Sequence, residues 1–394
     1  MTTTTAPTAI WKTASSCLLS ETDDFDVANV DHSLDQDPRW LATFVQDDDK
    51  RLERFVLEQS GVPIGSATFF IHPSALRIAI SDWSLYGRAV KRYTLFAQPL
   101  FDEIAVTDHC ASLMALFEQI SKRLKADEVI FLQSVIDGSP LSKVLSGDSP
   151  LSRKYHILEY GERYRHRYID FTGDYNHYLS QLSASTRSDL KRTQKRFIAK
   201  VNGQYQTVCY QNVNEVGAFL DAAMAVSALT YQYKLLGAGL RDRAILEKRF
   251  TTTANLGWFR SYVLFVNQQP IAFQVGHLYQ GCYNAQEIGY DPDWAKLQVG
   301  IFLHTEIVSD LLANPNLVKR FDFGNDDNTH KQRLSNADRV EKYVYLIPRH
   351  WRNDLIVHAM RAINSISTLA GRFLKRYGLR KRVRQLLWKL GVMK

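Results

Sequence analysis

The stretch Phe259–Arg333 constrains this chain more than any other. Arg260 to Val266 is dense in β-branched and aromatic residues, which predicts a strand. Asn267 to Pro270 reads as a turn, because proline lacks the N–H that a central ladder position needs. Ile271 to Tyr279 alternates by twos. Ile271, Phe273, Val275 and His277 share one face, and Ala272, Gln274, Gly276 and Leu278 share the other. Gln280–Gly281 turns the chain and Cys282 to Gly289 returns, so three antiparallel strands follow in series as a meander. Asp291-Pro292-Asp293 ends it.

A helix should follow from Leu297 to Leu312, since Leu297, Ile301, Leu303, Ile307 and Leu311 recur at helical spacing. Gly300 falls in its first turn. The first N–H groups of a helix lack internal partners, and that end carries partial positive charge. A glycine there lets a phosphate approach the backbone; taken alone, such a glycine is more often explained by close helix–strand packing. A further strand ends in Phe321-Asp322-Phe323-Gly324, and a single lysine follows in Asn328-Thr329-His330-Lys331-Gln332-Arg333.

This order of elements resembles the GNAT (GCN5-related N-acetyltransferase) fold. The stretch Phe321-Asp322-Phe323-Gly324, its acidic loop and Lys331 are similar to the acetyltransferase domain of CelD-type cellulose-biosynthesis proteins, which is akin to the Fem peptidoglycan aminoacyltransferases. Leu182 to Arg192 resembles the basic helix start of the same family. Two departures stand out: His330 replaces a tyrosine before the lysine, and Gln298-Val299-Gly300 replaces Ser-Pro-Gly. The resemblance covers about Ile169 to Leu346.

At 394 residues the chain is long enough for two domains with sizeable cores. The expected fold class is α/β (α+β): two GNAT-like domains with mixed, largely antiparallel sheets, and a basic C-terminal helical tail. The boundaries read as a disordered N-terminus over 1–20, a degenerate GNAT-like domain over 21–160, the acyltransferase domain over 161–347 and the tail over 348–394. Met1 to Thr8 is low in complexity, and neither a signal peptide nor a run of about 20 apolar residues is present. The four cysteines are far apart without metal-ligand spacing, which points to a reduced cytoplasmic protein without a metal. Asp108-His109-Cys110 invites a site, yet a loop with incidental polar residues explains it.

Charge is unevenly spread. The chain carries +8, whereas Pro348 to Lys394 carries +11, leaving about −3 for the rest. Leu355, Val357 and Met360 begin one apolar stripe in that tail, and Val383, Leu386, Leu387 and Leu390 form a second. Such a basic amphipathic segment suits an anionic membrane surface, making the protein peripheral on the inner face, or a helix docked on its own protein. A second basic stripe runs along Tyr175 to Val201, through Arg187, Lys191 and Lys195 and through Arg192, Arg196 and Lys200. It is either a solvated face or a clamp for an anionic partner. Val213 to Phe250 reads as two helices broken at Gly237 to Leu240, with Tyr231, Gln232, Tyr233 and Lys234 at the break.

The resemblance implies acyl transfer from acetyl-coenzyme A, or another acyl-coenzyme A, to an amine or hydroxyl of a cell-envelope sugar or polysaccharide precursor. Glu287 is the first carboxylate able to take the acceptor's proton, Asp322 the second, and His277 a third base. Tyr290 can protonate the departing thiolate. Gln298, Val299, Gly300, Ile301, Phe273 and Gln274 are expected at the cofactor; Lys331, Arg333, Tyr231, Tyr233 and Arg187 at the acceptor. Lys331 can instead pair with Asp322 or Asp326. Two rivals stay open: an aminoacyl-tRNA-dependent transferase of the Fem kind, with tRNA as its nucleic-acid partner, and a membrane-surface scaffold on a decayed fold.

Overall fold

The computed structural model describes residues 9–14, 33–80, 83–230, 233, 239–314, 316–325 and 327–362. They fall into two compact units, each mixed α/β and GNAT-like, as the sequence leads one to expect. The first comprises the described residues within 1–31, 45–162 and 342–394, and the second those within 32–44 and 163–341.

In the first unit the sheet is built from β1 (Ile10–Ala14), β2 (Arg51–Gln59), β3 (Val62–Ile80), β4 (Trp83–Leu95), β5 (Leu100–Phe101) and β6 (Glu128–Ile136). It also holds the early part of β7 (Tyr155–Asp170) and the end of β13 (Ala337–Pro348). β1 to β4 pair antiparallel in order, and β6 joins β4 in parallel. β3 runs unbroken from Val62 to Ile80, with Pro73 opposite Lys91 within the ladder. The helix His109–Ser121 packs Leu113, Leu116, Phe117 and Ile120 into the core beside Phe55, Phe69 and Ile130. Asp108 is the cap of that helix, accepting from the Ala111 N–H at 2.9 Å, which accounts for the Asp108-His109-Cys110 run. Residues 351–362 are helical. Val357 and Met360 are buried there as expected, and Ile356 joins them in place of Leu355, which is 67% exposed. The second tail stripe lies outside the described residues, as does the N-terminal segment 1–8.

The second unit contains the rest of β7, then β8 (Tyr205–Tyr210), β9 (Ser261–Val266), β10 (Gln269–Tyr279), β11 (Cys282–Tyr290) and β12 (Arg320–Asp322), in sheet order β7-β12-β11-β10-β9-β8. β9, β10 and β11 are the expected meander. The helix Val299–Leu312 buries Val299, Phe302, Leu303, Ile307, Val308 and Leu311 against β9 to β12, with Tyr262, Leu264, Ala272 and Phe321 in the same cluster. On the other face the helix Val216–Leu229 packs Phe219, Leu220 and Ala223 with Phe250, Phe259, Phe273 and Val275. The basic region is two helices, Tyr175–Gln181 and Ala184–Lys200, because Ser183 turns extended and caps the second, accepting from the Thr186 N–H at 3.1 Å. Among the described residues no helix is long and apolar enough to cross a membrane, and no three His, Cys, Asp or Glu side chains cluster as metal ligands.

Candidate functional site

β11 and β12 run in parallel for only three residues, from Cys282–Arg320 to Asn284–Asp322. β12 then ends while β11 continues to Tyr290. From Ala285 onward that edge of β11 is unpaired among the described strands, so its backbone groups face an open wedge. A bulge begins at the same place. Val275 stands opposite Glu287 and Gly276 opposite Ala285, which leaves Gln286 as the extra residue on β11.

A cavity of about 530 Å³ occupies the wedge. Ala285 to Gly289 form one wall. His304, Phe321 and Phe323 form another. Gln274, Thr230, Gly239, Asn328, His330 and Lys331 complete the lining.

Glu287 lies on this wall, half-buried, and burial raises its carboxyl above the usual range. That is the direction a general base working near neutral pH needs. Gln274 is buried and donates through Nε2 to the Glu287 carbonyl at 3.1 Å, fixing the strand beneath the carboxylate.

Gln298 to Ile301 start the helix that flanks the wedge. Gln298 adopts the left-handed conformation at φ +54°, and no side chain caps the helix end. A Cβ at Gly300 would meet the Tyr290 ring at 3.5 Å and Ile288 at 3.7 Å, so the helix start abuts the far end of β11. Tyr290 is exposed there. The helix Ala184–Lys200 runs alongside: the Thr193 hydroxyl donates to Gln298 Oε1 at 2.7 Å, and Arg196 donates to the Lys296 carbonyl at 3.3 Å. Lys191, Arg192, Lys195, Arg196 and Lys200 are all exposed on it, with Arg192 paired to Asp189.

The remaining expected residues are distributed as follows. Phe273 is fully buried beneath the strand, where a Cβ at Gly289 would stand 2.4 Å from its ring. Lys331 lines the cavity, and its ammonium donates to the carbonyls of Asn325 at 2.6 Å and Gly324 at 3.3 Å. Arg333 instead pairs with Asp189. Arg187 donates to the Leu182 carbonyl at 2.5 Å and the Ser180 carbonyl at 3.3 Å, closing the end of the preceding helix. Tyr233 is half-buried against Gly239 under the Arg241 guanidinium, 4.1 Å from its ring centre. Tyr231, Gln232, Lys234 and Asp326 lie outside the described residues.

Two bases are set apart from the cavity. His277 is sealed among Trp40, Phe250 and Phe259, and burial pushes it down to about 3, so it is a neutral core residue. Asp322 belongs to a buried charge cluster. Its carboxylate meets His166 Nε2 at 2.7 Å and accepts the Gly324 N–H at 2.7 Å. Glu341, fully buried, lies 3.4 Å from His166 Nδ1 and also accepts from Tyr164 at 2.8 Å and Arg339 at 2.5 Å. Burial works against the His166 charge, but both carboxylates overcome it and raise it to about 9. Burial likewise opposes the charge on Asp322 and Glu341, yet His166 holds both below their ordinary values, Glu341 at about 2.

Sequence reasoning missed His166, whose partner is 156 residues away, and His304, which sits inside an apolar helical run. The only local signal for His304 is a polar residue on the buried stripe of Ile301, Leu303 and Ile307.

Residues 184–332 match the acetyltransferase (GNAT) domain family. The chain is similar in fold to the crystal structure of FemX, with TM-score 0.54 at 9% identity, covering 80% of this chain and 92% of that one. It is also similar to a conserved protein of unknown function from Bacteroides thetaiotaomicron, with TM-score 0.50 at 13% identity, covering 79% and 91%. No curated protein matches it. The class that fold and wedge define is the GNAT fold, with its splayed strand pair carried by the second unit. Within that class the matched segment spans the basic helix, the meander, the helix after it and Lys331.

Proposed function

We propose that the protein is an acyl-coenzyme-A-dependent N- or O-acyltransferase acting on a cell-envelope sugar or polysaccharide precursor, in the manner of the CelD-type branch. The observation that carries this reading is the wedge between β11 and β12 with Glu287 on its wall. An acyl thioester fits the unpaired β11 edge, where backbone N–H groups can bond the pantetheine amides and the carbonyl oxygen that gains charge in the transition state. The uncapped start at Gln298 to Ile301 suits a pyrophosphate, with Arg196 beside it and Lys195 on the same exposed helix.

Glu287 takes the proton from the acceptor's amine or hydroxyl as that atom attacks the thioester carbonyl. The new amide or ester bond forms, the C–S bond breaks, and the thiolate leaves and takes up a proton from solvent; Tyr290 stands against the helix start, at the pyrophosphate end of the wedge rather than at the thioester. Lys331 and Tyr233 lie toward the acceptor. Asp322 acts at a distance, by shaping the Gly324 turn that holds Lys331.

The second reading, transfer from an aminoacyl-tRNA, draws on the exposed basic face of the helix Ala184–Lys200, which is longer than one nucleotide needs. Calorimetric titration with acetyl-coenzyme A tests the first. Micromolar binding that is lost in Gly300→Trp and kept in Gly300→Ala supports it. Absence of binding by the intact protein overturns it, and aminoacyl-tRNA is then titrated in the same way.

A further inference from the structure

His304 lies in the second turn of the helix Val299–Leu312 and is 4% exposed, yet it lines the cavity. Its ring stacks on Phe323, with centroids 5.3 Å apart and planes at 29°, and meets Phe321 edge-on at 5.0 Å. His330 approaches in a T at 6.1 Å. Its Nε2 is buried and has no hydrogen-bond partner. Buried polar atoms are nearly always paired, because a missing bond forfeits the water it displaced. His277 is orphaned too, but it is sealed in the core, whereas His304 borders a space large enough for a ligand.

The surroundings define what would satisfy it. Burial holds His304 at about 3, and burial with the charges of Arg333 and Lys331 holds His330 at about 4, so both rings are neutral at physiological pH. Phe321 and Phe323 offer apolar faces, and Thr230, Gln274 and Asn328 offer uncharged polar groups. The charged groups on the wall are otherwise engaged: Glu287 is the base, and the Lys331 ammonium is held by two backbone carbonyls. An ionic group placed against His304 would be desolvated there, with the nearest cation on the wall, Lys331, beside His330 rather than beside His304. Aromatic faces among neutral hydrogen-bonding groups match a polyol or sugar, whose C–H face is apolar and whose rim is hydroxyl.

We propose that His304 is a specificity-determining residue of this site, its Nε2 hydrogen-bonding an uncharged hydroxyl of a sugar or polyol acceptor whose apolar face lies on Phe321 and Phe323. The proposal rests on the acyl-transfer reading of the cavity. A neutral imidazole accepts from a hydroxyl or donates to one according to its tautomer, so the contact needs no change of charge. A site that hydrogen-bonds a substrate hydroxyl also rejects analogues lacking it, because its own buried group is then left unpaired.

The test uses the full chain, ¹⁵N-labelled and saturated with coenzyme A. It is titrated with methyl glucoside as the uncharged probe and with inorganic phosphate as the charged one. The chain has eleven histidines; His304→Phe, which keeps a ring on Phe323, assigns the Nε2 resonance, and His304→Gln serves if that variant does not fold. Methyl glucoside is expected to shift the resonance saturably and phosphate to leave it in place. The variant should bind methyl glucoside about tenfold more weakly, with acetyl-coenzyme A affinity within about twofold. No shift with methyl glucoside, an equal shift with phosphate, or unchanged affinity in the variant overturns the proposal. A methyl glucoside shift without acetyl-coenzyme A binding fells the acyl-donor reading instead and leaves His304 assigned.

Discussion

Gly276 lies directly against the hydroxyl of Tyr283: a Cβ at position 276 would stand 2.1 Å from that oxygen. The Tyr283 hydroxyl is buried and has no hydrogen-bond partner, and Gly276 is held by its own N–H and carbonyl on the Ser261 hydroxyl, at 3.1 and 3.3 Å. This is the point where the bulge turns β11 and sets Glu287 on the cavity wall. Gly276→Ala should therefore cost about 1–3 kcal/mol of stability through overpacking. Tyr283→Phe should stay within about 1 kcal/mol of the parent, or gain, since it removes an unpaired oxygen. Urea denaturation of the two variants checks both; equal losses would mean that the close contact relaxes freely.

Glu287→Gln keeps shape and removes the base. With the proposed mechanism, kcat should fall about 10²- to 10⁴-fold while the melting temperature hardly moves. The parent's rate should rise with pH through a Glu287 titration lying above the ordinary carboxylate range, and the variant should lose that limb. A variant of full activity would remove Glu287 from the chemistry and assign the proton to another group.

The buried cluster predicts a stability profile. His166 is raised in the folded state to about 9 from 6.5, so its contribution is complete below about pH 6.5 and is lost as pH rises through 9. Glu341 is depressed from 4.5 to about 2, so its contribution is complete above about pH 4.5 and is lost as pH falls through 2. The two share one contact, so their energies do not add. Stability should be highest between about pH 4.5 and 6.5 on this account and fall by on the order of 3 kcal/mol by pH 9. His166→Phe should lower stability by about 3–5 kcal/mol, since it takes away the cation that the buried Asp322 carboxylate pairs with and leaves Glu341 to Arg339 as its cation. Denaturation curves across that range, flat in the variant on the alkaline side, are the check.

Part of this was legible in the chain. The meander and the helix after it are written as period-two and period-3.6 patterns, and their bounds are within two residues of the observed ones. Gln274 could be placed because alternation fixes the faces of β10, whereas Glu287 comes from the resemblance, and the bulge at Gln286 breaks the alternation before it. The Asp322 assignment needed more than pattern. Whether that carboxylate faces the cavity or a histidine depends on His166 in a strand 156 residues earlier, a relation with no local trace. The segment His32–Phe44 belongs to the second unit for the same kind of reason: the Tyr279 hydroxyl donates to Asp37 at 3.0 Å across 242 residues.

Lys331 is held by the carbonyls of Gly324 and Asn325, and Gly324 sits at φ +71° with its N–H on Asp322. Asp322→Asn should loosen that turn. The expected result is a rise in KM for the acceptor larger than any change in KM for acetyl-coenzyme A, with Lys331→Met showing the same split. Gly324→Ala adds strain of about 1 kcal/mol at the same place and should follow them weakly. Equal effects on both substrates would make the turn a general support of the fold.

The basic helix gives the test that separates the two donors. Thr193 and Arg196 tie it to Gln298 and Lys296, so Arg196 stands beside the helix start where a pyrophosphate would lie. Lys195→Glu and Arg196→Glu should weaken acetyl-coenzyme A binding several-fold, and the loss should shrink as salt screens the surface. Coenzyme A carries few charges, so the plot of log affinity against log salt should have a shallow slope, near −1 to −2. An RNA backbone laid along Lys191, Arg192, Lys195, Arg196 and Lys200 would release a counterion at each phosphate, at about −0.7 per contact, giving a slope of about −3.5 for the five. Titrations with acetyl-coenzyme A and with bulk tRNA between 50 and 200 mM salt therefore decide the donor: a steep slope for tRNA, with tight binding abolished by the same two charge reversals, would move the assignment to aminoacyl transfer.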